Sequence, residues 1–329
     1  MKFLIAGFGS IGRRHLNNLR ALGEQDLLLY RTQHSTLPLE GIAGIPVETD
    51  LQAALAHKPD AVIIANPTAL HLETAIPCAE AGCSILMEKP VSHSMEGVEQ
   101  LRQALEQGGG RFLTGFQYRF HPGLLQVKRW LEQNAIGSVI SVNSHWGEYL
   151  PDWHPWEDYR TSYSARIDLG GGVVNTLCHP LDYLRWMFGE AESLFAVTSN
   201  NGLHLPVEDN ADILLKFERG PQANIHLDYN QRPGQHTLEL TGTRGRITWD
   251  NEGGRARLYD ASQKTWQDVY PPAGFERNAL FLDEMAHFLR VARGEESSSC
   301  TLEDGLAALQ LTLAVHRSAR QGCLVKFNA

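Results

Sequence analysis

The feature that most constrains the fold lies in the first dozen residues. Lys2–Ala6 (KFLIA) is a short apolar run. Gly7-Phe8-Gly9-Ser10-Ile11-Gly12 follows at once, and Arg13–Leu22 then carries apolar residues at helical spacing. Strand, glycine turn and helix in that order predict a dinucleotide-binding βα unit. Gly7 permits the tight turn, Gly9 lets backbone approach a pyrophosphate, and Gly12 lets the helix pack close to the strand. Ser10 and Ile11 open the helix, whose free N–H groups and positive dipole end suit phosphate. A tight structural turn would use the same glycines; the strand before and the helix after favour the nucleotide.

The pattern continues. Strands are expected at Leu27–Tyr30, Ala61–Ala65, Ser84–Met87 and Arg111–Thr114, with helices at Leu51–His57, Leu70–Ala81 and Met95–Gln107. The strand runs are continuously apolar, as in a parallel sheet buried on both faces. Alternation of strand and helix predicts a doubly wound α/β Rossmann domain over residues 1–120. Beyond about residue 135, strand-like runs crowd together at Ser138–Trp146, Ser193–Ser199, Ala211–Phe217, Ala223–Tyr229, His236–Thr241 and Arg246–Trp249. Several alternate apolar and polar residues, so an α+β domain with a mostly antiparallel open sheet is expected over 121–329. Helices are expected at Val173–Phe188, Asn278–Val291 and Leu302–Ala319. Gly108-Gly109-Gly110 reads as a flexible turn.

Composition narrows the function classes. The 329 residues suit about two domains. Residues 1–120 hold ten basic and twelve acidic side chains, and the remainder nineteen and twenty-six. Neither part offers the basic surface that a nucleic-acid backbone requires. The cysteines (78, 83, 178, 300 and 323) are odd in number and scattered, which points to a reducing compartment. No apolar run approaches a membrane span, and the apolar start is too short for a signal peptide. A cytoplasmic protein is expected. No His, Cys or carboxylate grouping stands at metal-ligand spacing in the sequence, and no GxSxG turn is present.

Three further segments carry chemistry. After the second strand stands Tyr30-Arg31-Thr32, where an NAD site usually has a carboxylate for the ribose 2′-hydroxyl. Arg31 could instead pair with a 2′-phosphate, so the sequence favours NADP over NAD; a solvated Arg31 would remove the preference. Met87-Glu88-Lys89-Pro90 closes a buried strand, where Lys89 is placed to meet substrate or sits on a solvated turn. The stretch Gly170-Gly171-Gly172-Val173-Val174-Asn175-Thr176-Leu177-Cys178-His179-Pro180-Leu181-Asp182 turns into a helix. Asn175, His179 and Asp182 stand at i, i+4 and i+7 and would share one face, although Pro180 predicts a kink or break.

Taken together, these motifs resemble the glucose–fructose oxidoreductase / inositol dehydrogenase / rhizopine-catabolism (Gfo/Idh/MocA) family over essentially the whole chain. The resemblance also rests on Asn66-Pro67-Thr68 with His71 after the fourth strand, and on Gly115-Phe116-Gln117-Tyr118-Arg119-Phe120. It implies an NAD(P)-dependent enzyme moving hydride to or from a carbinol of a sugar, cyclitol or nucleotide-sugar-like molecule. It implies that Asn66, Pro67, Thr68, His71, Glu88 and Lys89 line the cofactor. Lys89 would touch nicotinamide ribose and the reacting hydroxyl, and His179 would be the general acid/base. Asn175 stands where many members have an aspartate; an amide can orient but cannot stabilise an imidazolium by charge. Asp182 could compensate for that charge or be structural.

Gln117, Arg119, Tyr149, Trp153, Arg160 and Tyr163 are the remaining candidate substrate contacts. Four of them lie in the aromatic segment Trp146–Tyr163, where rings could pack on a sugar face and Arg160 could hold an anion; the rings could equally plug an interface. The family also contains a dinucleotide-binding regulator and NAD-dependent glycosidases, which stay open as alternatives. A homodimer or homotetramer is expected.

Overall fold

The computed structural model describes residues 1–32 and 42–327. The chain runs β1 (Phe3–Ala6), α1 (Ser10–Ala21), β2 (Leu27–Tyr30), β3 (Val47–Glu48), α2 (Leu51–Ala56), β4 (Ala61–Ile64), α3 (His71–Glu80), β5 (Ser84–Glu88), α4 (Val98–Gly108) and β6 (Phe112–Gly115). Then come α5 (Pro122–Glu132), β7 (Val139–Tyr149), α6 (Val173–Thr176), α7 (His179–Phe188), β8 (Ala191–Ser199), β9 (Asn210–Phe217) and β10 (Gln222–Asp228). It continues with β11 (Asn230–Gly242), β12 (Gly245–Asp250), β13 (Ala256–Asp260) and β14 (Thr265–Val269). It ends with α8 (Arg277–Arg293), α9 (Leu302–Gln321) and β15 (Val325–Lys326).

Two compact units result: residues 1–117 with 276–309, and residues 118–275 with 310–329. The expected boundary at residue 120 falls close to the first crossing. The expectation that everything beyond it belongs to the second unit is corrected, because α8 and the start of α9 return to the first. The reason is packing: α8 rests on α1, β5 and β6. Buried Leu280, Phe281, Met285 and Phe288 supply its inner face.

In the first unit, six parallel strands stand in the order β3-β2-β1-β4-β5-β6. β1, β4, β5 and β6 are buried at every position, as their unbroken apolar runs require. The strand order reverses direction between β1 and β4, which opens a ligand crevice at their carboxyl ends. In Gly108–Gly110, expected as a flexible turn, the outer two glycines are packed tight: a Cβ at Gly108 would lie 1.9 Å from the Ala79 carbonyl oxygen, and one at Gly110 would lie 2.1 Å from that of Cys83, while Gly109 is exposed.

In the second unit, nine strands stand in the order β14-β13-β12-β11-β7-β10-β9-β8-β15. All neighbours are antiparallel except β7 and β10. β9 alternates strictly between buried and outward positions, the signature of a sheet with one covered face. Helix α5 was not among the expected elements. It opens with Pro122 at its first turn and is capped by the His121 ring, which accepts the Gly123 N–H at 3.0 Å; histidine lies outside the usual capping set. Val173–Phe188 is two helices, since the backbone leaves helical geometry at Leu177. Among the described residues, no helix is long and apolar enough to cross a membrane.

Candidate active site

In the first unit, the carboxyl ends of β1, β4 and β5 lie side by side and carry the glycine turn, Asn66 and Lys89. Gly7 has φ of +97°, and a Cβ there would lie 2.5 Å from the Asn66 nitrogen. A Cβ at Gly12 would lie 2.1 Å from the Gly7 carbonyl oxygen, so α1 can approach β1 only without a side chain at that point. Gly9 differs: a Cβ there would meet nothing within 4 Å among the described residues. Gly9 precedes Ser10 and Ile11 at the N-terminus of α1, where no side chain caps the free N–H groups. Open space before uncapped amides fits a pyrophosphate.

Around this turn the other cofactor candidates are fixed. The Asn66 side chain donates to Thr74 Oγ1 at 2.8 Å and to the Leu70 carbonyl at 3.3 Å. Pro67 and buried Thr68 start a single 3₁₀ turn. His71 is fully buried between the Pro90 carbonyl, 2.8 Å from Nδ1, and the Asn66 carbonyl, 3.0 Å from Nε2. Burial lowers its pKa, so the neutral ring offers one N–H to one of the two. Glu88 ends β5 with its Oε1 2.7 Å from His15 Nε2. Burial opposes its charge, yet the His15 hydrogen bond and the charges of His15 and Lys89 keep its carboxyl below the usual range. Half-buried Lys89 follows, and the Lys89–Pro90 bond is cis. Arg31 extends past β2, and its Nη1 is buried without a hydrogen-bond partner among the described residues. Thr32 is exposed beside it.

In the second unit, His179 is the first residue of α7 and is buried. Its ring meets Tyr118 edge-on at 4.8 Å and tilts against Trp146 at 5.5 Å. Asn175 lies on α6 instead, so the expected shared helical face does not form. Its amide donates to the carbonyls of Gly170 and Gly171 at 3.2 and 3.4 Å, while buried Oδ1 has no partner among the described residues. Arg119, expected to reach substrate, forms a buried ion pair with Asp182. Nη2 meets Oδ1 at 2.7 Å and Nε meets Oδ2 at 3.0 Å, with side chains 4% and 1% exposed. Asp182 therefore balances the charge of Arg119.

The remaining substrate candidates scatter. Gln117, in the first unit, is buried, its Oε1 without a hydrogen-bond partner among the described residues. Tyr149 ends β7 beneath the Arg232 guanidinium, 3.9 Å above its ring. Trp153 packs edge-on against Tyr229 at 5.6 Å, and its indole nitrogen is buried with no hydrogen-bond partner among the described residues. Tyr163 opens a 3₁₀ turn and its carbonyl lies 2.3 Å from where a Gly171 Cβ would stand. Arg160 is exposed, leaning on Tyr159 and Asp158.

Two features escape the sequence reading. His236 of β11 stacks on Trp146 at 4.3 Å and 1°, and Tyr183 bridges His236 Nε2 at 3.2 Å to Ser144 Oγ at 2.6 Å. On an alternating strand such a histidine looks like any other inward residue. Glu208, in the loop before β9, accepts the Val174 N–H at 3.1 Å, and its backbone carbonyl accepts that of Val173 at 3.0 Å. It thereby fastens α6. Burial, aided by the charge of Asp209, pushes its carboxyl up to about 7.

A glycine turn at the reversal point of a parallel sheet, with a lysine and a glutamate ending the next strand but one, defines a dinucleotide-binding protein. Residues 1–116 match the oxidoreductase family with an NAD-binding Rossmann fold, and residues 124–248 match the GFO/IDH/MocA C-terminal domain. The chain belongs to the Gfo/Idh/MocA family of NAD-binding oxidoreductases. It is 27% identical to myo-inositol 2-dehydrogenase of Thermotoga maritima, over 100% of this chain and 99% of that protein. Its fold is similar to levoglucosan dehydrogenase in complex with NADH and L-sorbose (TM-score 0.88, 22% identity, 100% and 99% covered). It is also similar to the WlbA dehydrogenase of Bordetella pertussis in complex with NADH and UDP-GlcNAcA (TM-score 0.84, 23% identity, 100% and 99% covered).

Proposed function

We propose that this oxidoreductase interconverts an alcohol and a carbonyl on a sugar, cyclitol or nucleotide-sugar-like substrate. The observation that carries the reading is the position of Lys89, at the carboxyl end of β5 and in the same row as the glycine turn and Asn66. The relatives named for inositol and levoglucosan support the substrate class.

Bound nicotinamide would supply the hydride acceptor or donor. Around it this chain's residues have distinct tasks. The α1 N-terminus from Gly9 to Gly12 holds pyrophosphate, while Asn66, Pro67, Thr68 and His71 shape the wall beside it. Glu88 and His15 fix the end of β5 from which Lys89 extends. The Lys89 ammonium favours negative charge developing on the substrate oxygen. His179 takes or gives the hydroxyl proton, a task suited to imidazole near neutral pH. Asn175 offers its unpartnered Oδ1 to a substrate hydroxyl. Gln117, Tyr149, Trp153 and Tyr163 are assigned to substrate. Arg119 is assigned to positioning α7, and exposed Arg160 to a more distant anionic group.

NADP is favoured over NAD, because Arg31 has a buried nitrogen with no hydrogen-bond partner among the described residues and stands where a 2′-phosphate would need a cation. A reducing, cytoplasmic setting fits the five free cysteines, four of them buried. A homo-oligomer fits the outward face of the second sheet, where Val197 and Leu214 are 58% and 57% exposed.

The test is absorbance at 340 nm with NAD or NADP across a panel of sugars and cyclitols. Turnover is expected for wild type, with Lys89→Ala and His179→Ala both inactive while binding coenzyme within a few-fold of wild type. Unchanged kcat in either variant overturns its assignment. Coenzyme-dependent aryl-glycoside hydrolysis, or coenzyme binding without turnover anywhere on the panel, would favour the other family activities.

A further inference from the structure

The outward face of the second sheet carries a cluster that the hydride site does not use. β7, β10 and β9 are neighbours, and their register aligns His145 with His226 and His226 with Asp212. The two-residue period of a strand puts Asp228 on the same face as His226. Asp228 pairs across the sheet with Gly147. A Cβ at Gly147 would lie 2.3 Å from Asp228 Oδ2 and 2.4 Å from Gln231 Oε1, so both groups occupy the space that its missing side chain leaves.

One donor atom each from His145, His226 and Asp228 lie within 4.8 Å of one another. His226 Nε2 is 3.1 Å from Asp228 Oδ2, and His226 Nδ1 is 2.7 Å from Asp212 Oδ1. His145 Nε2 meets Gln231 Oε1 at 2.5 Å. In a tetrahedral site with bonds of about 2.0–2.1 Å, neighbouring donor atoms stand roughly 3.3 Å apart. The His226–Asp228 edge already has that length. The His145 and His226 rings are stacked at 4.8 Å and 16°, so ligation requires His145 to turn out of the stack.

We propose that His145, His226 and Asp228 form a binding site for a divalent transition-metal ion of the zinc class. Two imidazoles and one carboxylate are a donor set suited to such ions, and three protein ligands leave a position for water. Asp212 is the orienting partner: by accepting the Nδ1–H of His226 it directs Nε2 at the ion, the carboxylate–histidine–metal arrangement. The ligands come from two strands joined only by the sheet, which is why sequence spacing does not show them. His145 and Trp146 alternate across β7, so the site lies on the face opposite the Trp146–His179 contact.

Chelator-stripped protein titrated with zinc chloride in a calorimeter tests the proposal. One ion is expected per chain. His226→Ala and Asp228→Asn are expected to abolish measurable binding, and Asp212→Asn to weaken it by about tenfold. His145→Gln should act like His226→Ala, and this half-buried position tolerates glutamine for folding, which circular dichroism checks. Cobalt loading should give tetrahedral d–d absorption that His145→Gln removes. Zinc affinity unchanged by these substitutions, or no zinc binding by wild type, overturns the site and leaves His226 as an imidazolium held between two aspartates.

Discussion

Asp182→Asn probes how α7 is held at the end that presents His179. The substitution keeps side-chain shape and removes one charge. Its partner Arg119 stays 4% exposed with Nε and Nη2 still directed at position 182. Breaking a buried pair from one side leaves an uncompensated charge, at a cost of about 3–5 kcal/mol. For domains of this size each kcal/mol lowers Tm by about 2–4 °C, so a fall of roughly 6–20 °C is expected. Urea denaturation followed by circular dichroism and tryptophan fluorescence gives the free energy. The double substitution Arg119→Met/Asp182→Leu should cost much less than Asp182→Asn alone, since a packed apolar pair often replaces a buried ion pair without loss. His179 lies one turn before Asp182, so the single variant should also lose kcat with KM little changed. A cost under about 1 kcal/mol for Asp182→Asn, or a double variant as unstable as the two singles summed, would refute the claim that this pair is closed and buried.

Three further outcomes follow from the same structure. Gly12→Ala drives a Cβ to 2.1 Å from the Gly7 carbonyl oxygen; a loss of about 1–3 kcal/mol and coenzyme affinity weakened at least tenfold are expected in melting and fluorescence titration. Glu208 has a folded pKa raised to about 7, so the native state keeps its proton longer than the unfolded chain. Its contribution to stability is therefore full below about pH 4.5 and is lost as pH rises to about 7, at most about 3 kcal/mol. Glu208→Gln should match wild type near pH 5 and exceed it at pH 8 in urea melts; a difference independent of pH would contradict this. Arg31→Ala should weaken NADPH at least tenfold and leave NADH within twofold, as read by nicotinamide fluorescence.

The first unit is legible in sequence because its signals are local. KFLIA runs into GFGSIG, and β2, β4, β5 and β6 are apolar runs, whereas β3, two residues of which one is Glu48, leaves no such mark. The return of α8 is not legible, because burial of Phe281 and Met285 depends on elements far away in sequence, β6 the nearest of them at Phe112–Gly115. β14 escapes because four of its five residues are exposed, so no apolar alternation marks it. His179 stands out as a residue, but its setting does not. The helix break at Leu177 separates it from Asn175, and Tyr118 and Trp146 approach it from other elements. Arg119 shows the limit most clearly: the sequence sets it among the candidate substrate contacts, and only the fold shows its ion pair with Asp182.

The central claim is that a carbon-bound hydrogen of a sugar-like alcohol passes to the coenzyme, with Lys89 and His179 assisting. The most direct measurement uses the best alcohol from the panel, deuterated at each carbinol carbon in turn, and follows the label by mass spectrometry and NMR. One position should yield reduced coenzyme carrying deuterium at C4 of the nicotinamide ring, at a rate slowed by the isotope. Reduced coenzyme without label from every deuterated position, or label transfer that persists undiminished in Lys89→Ala and His179→Ala, would contradict the account.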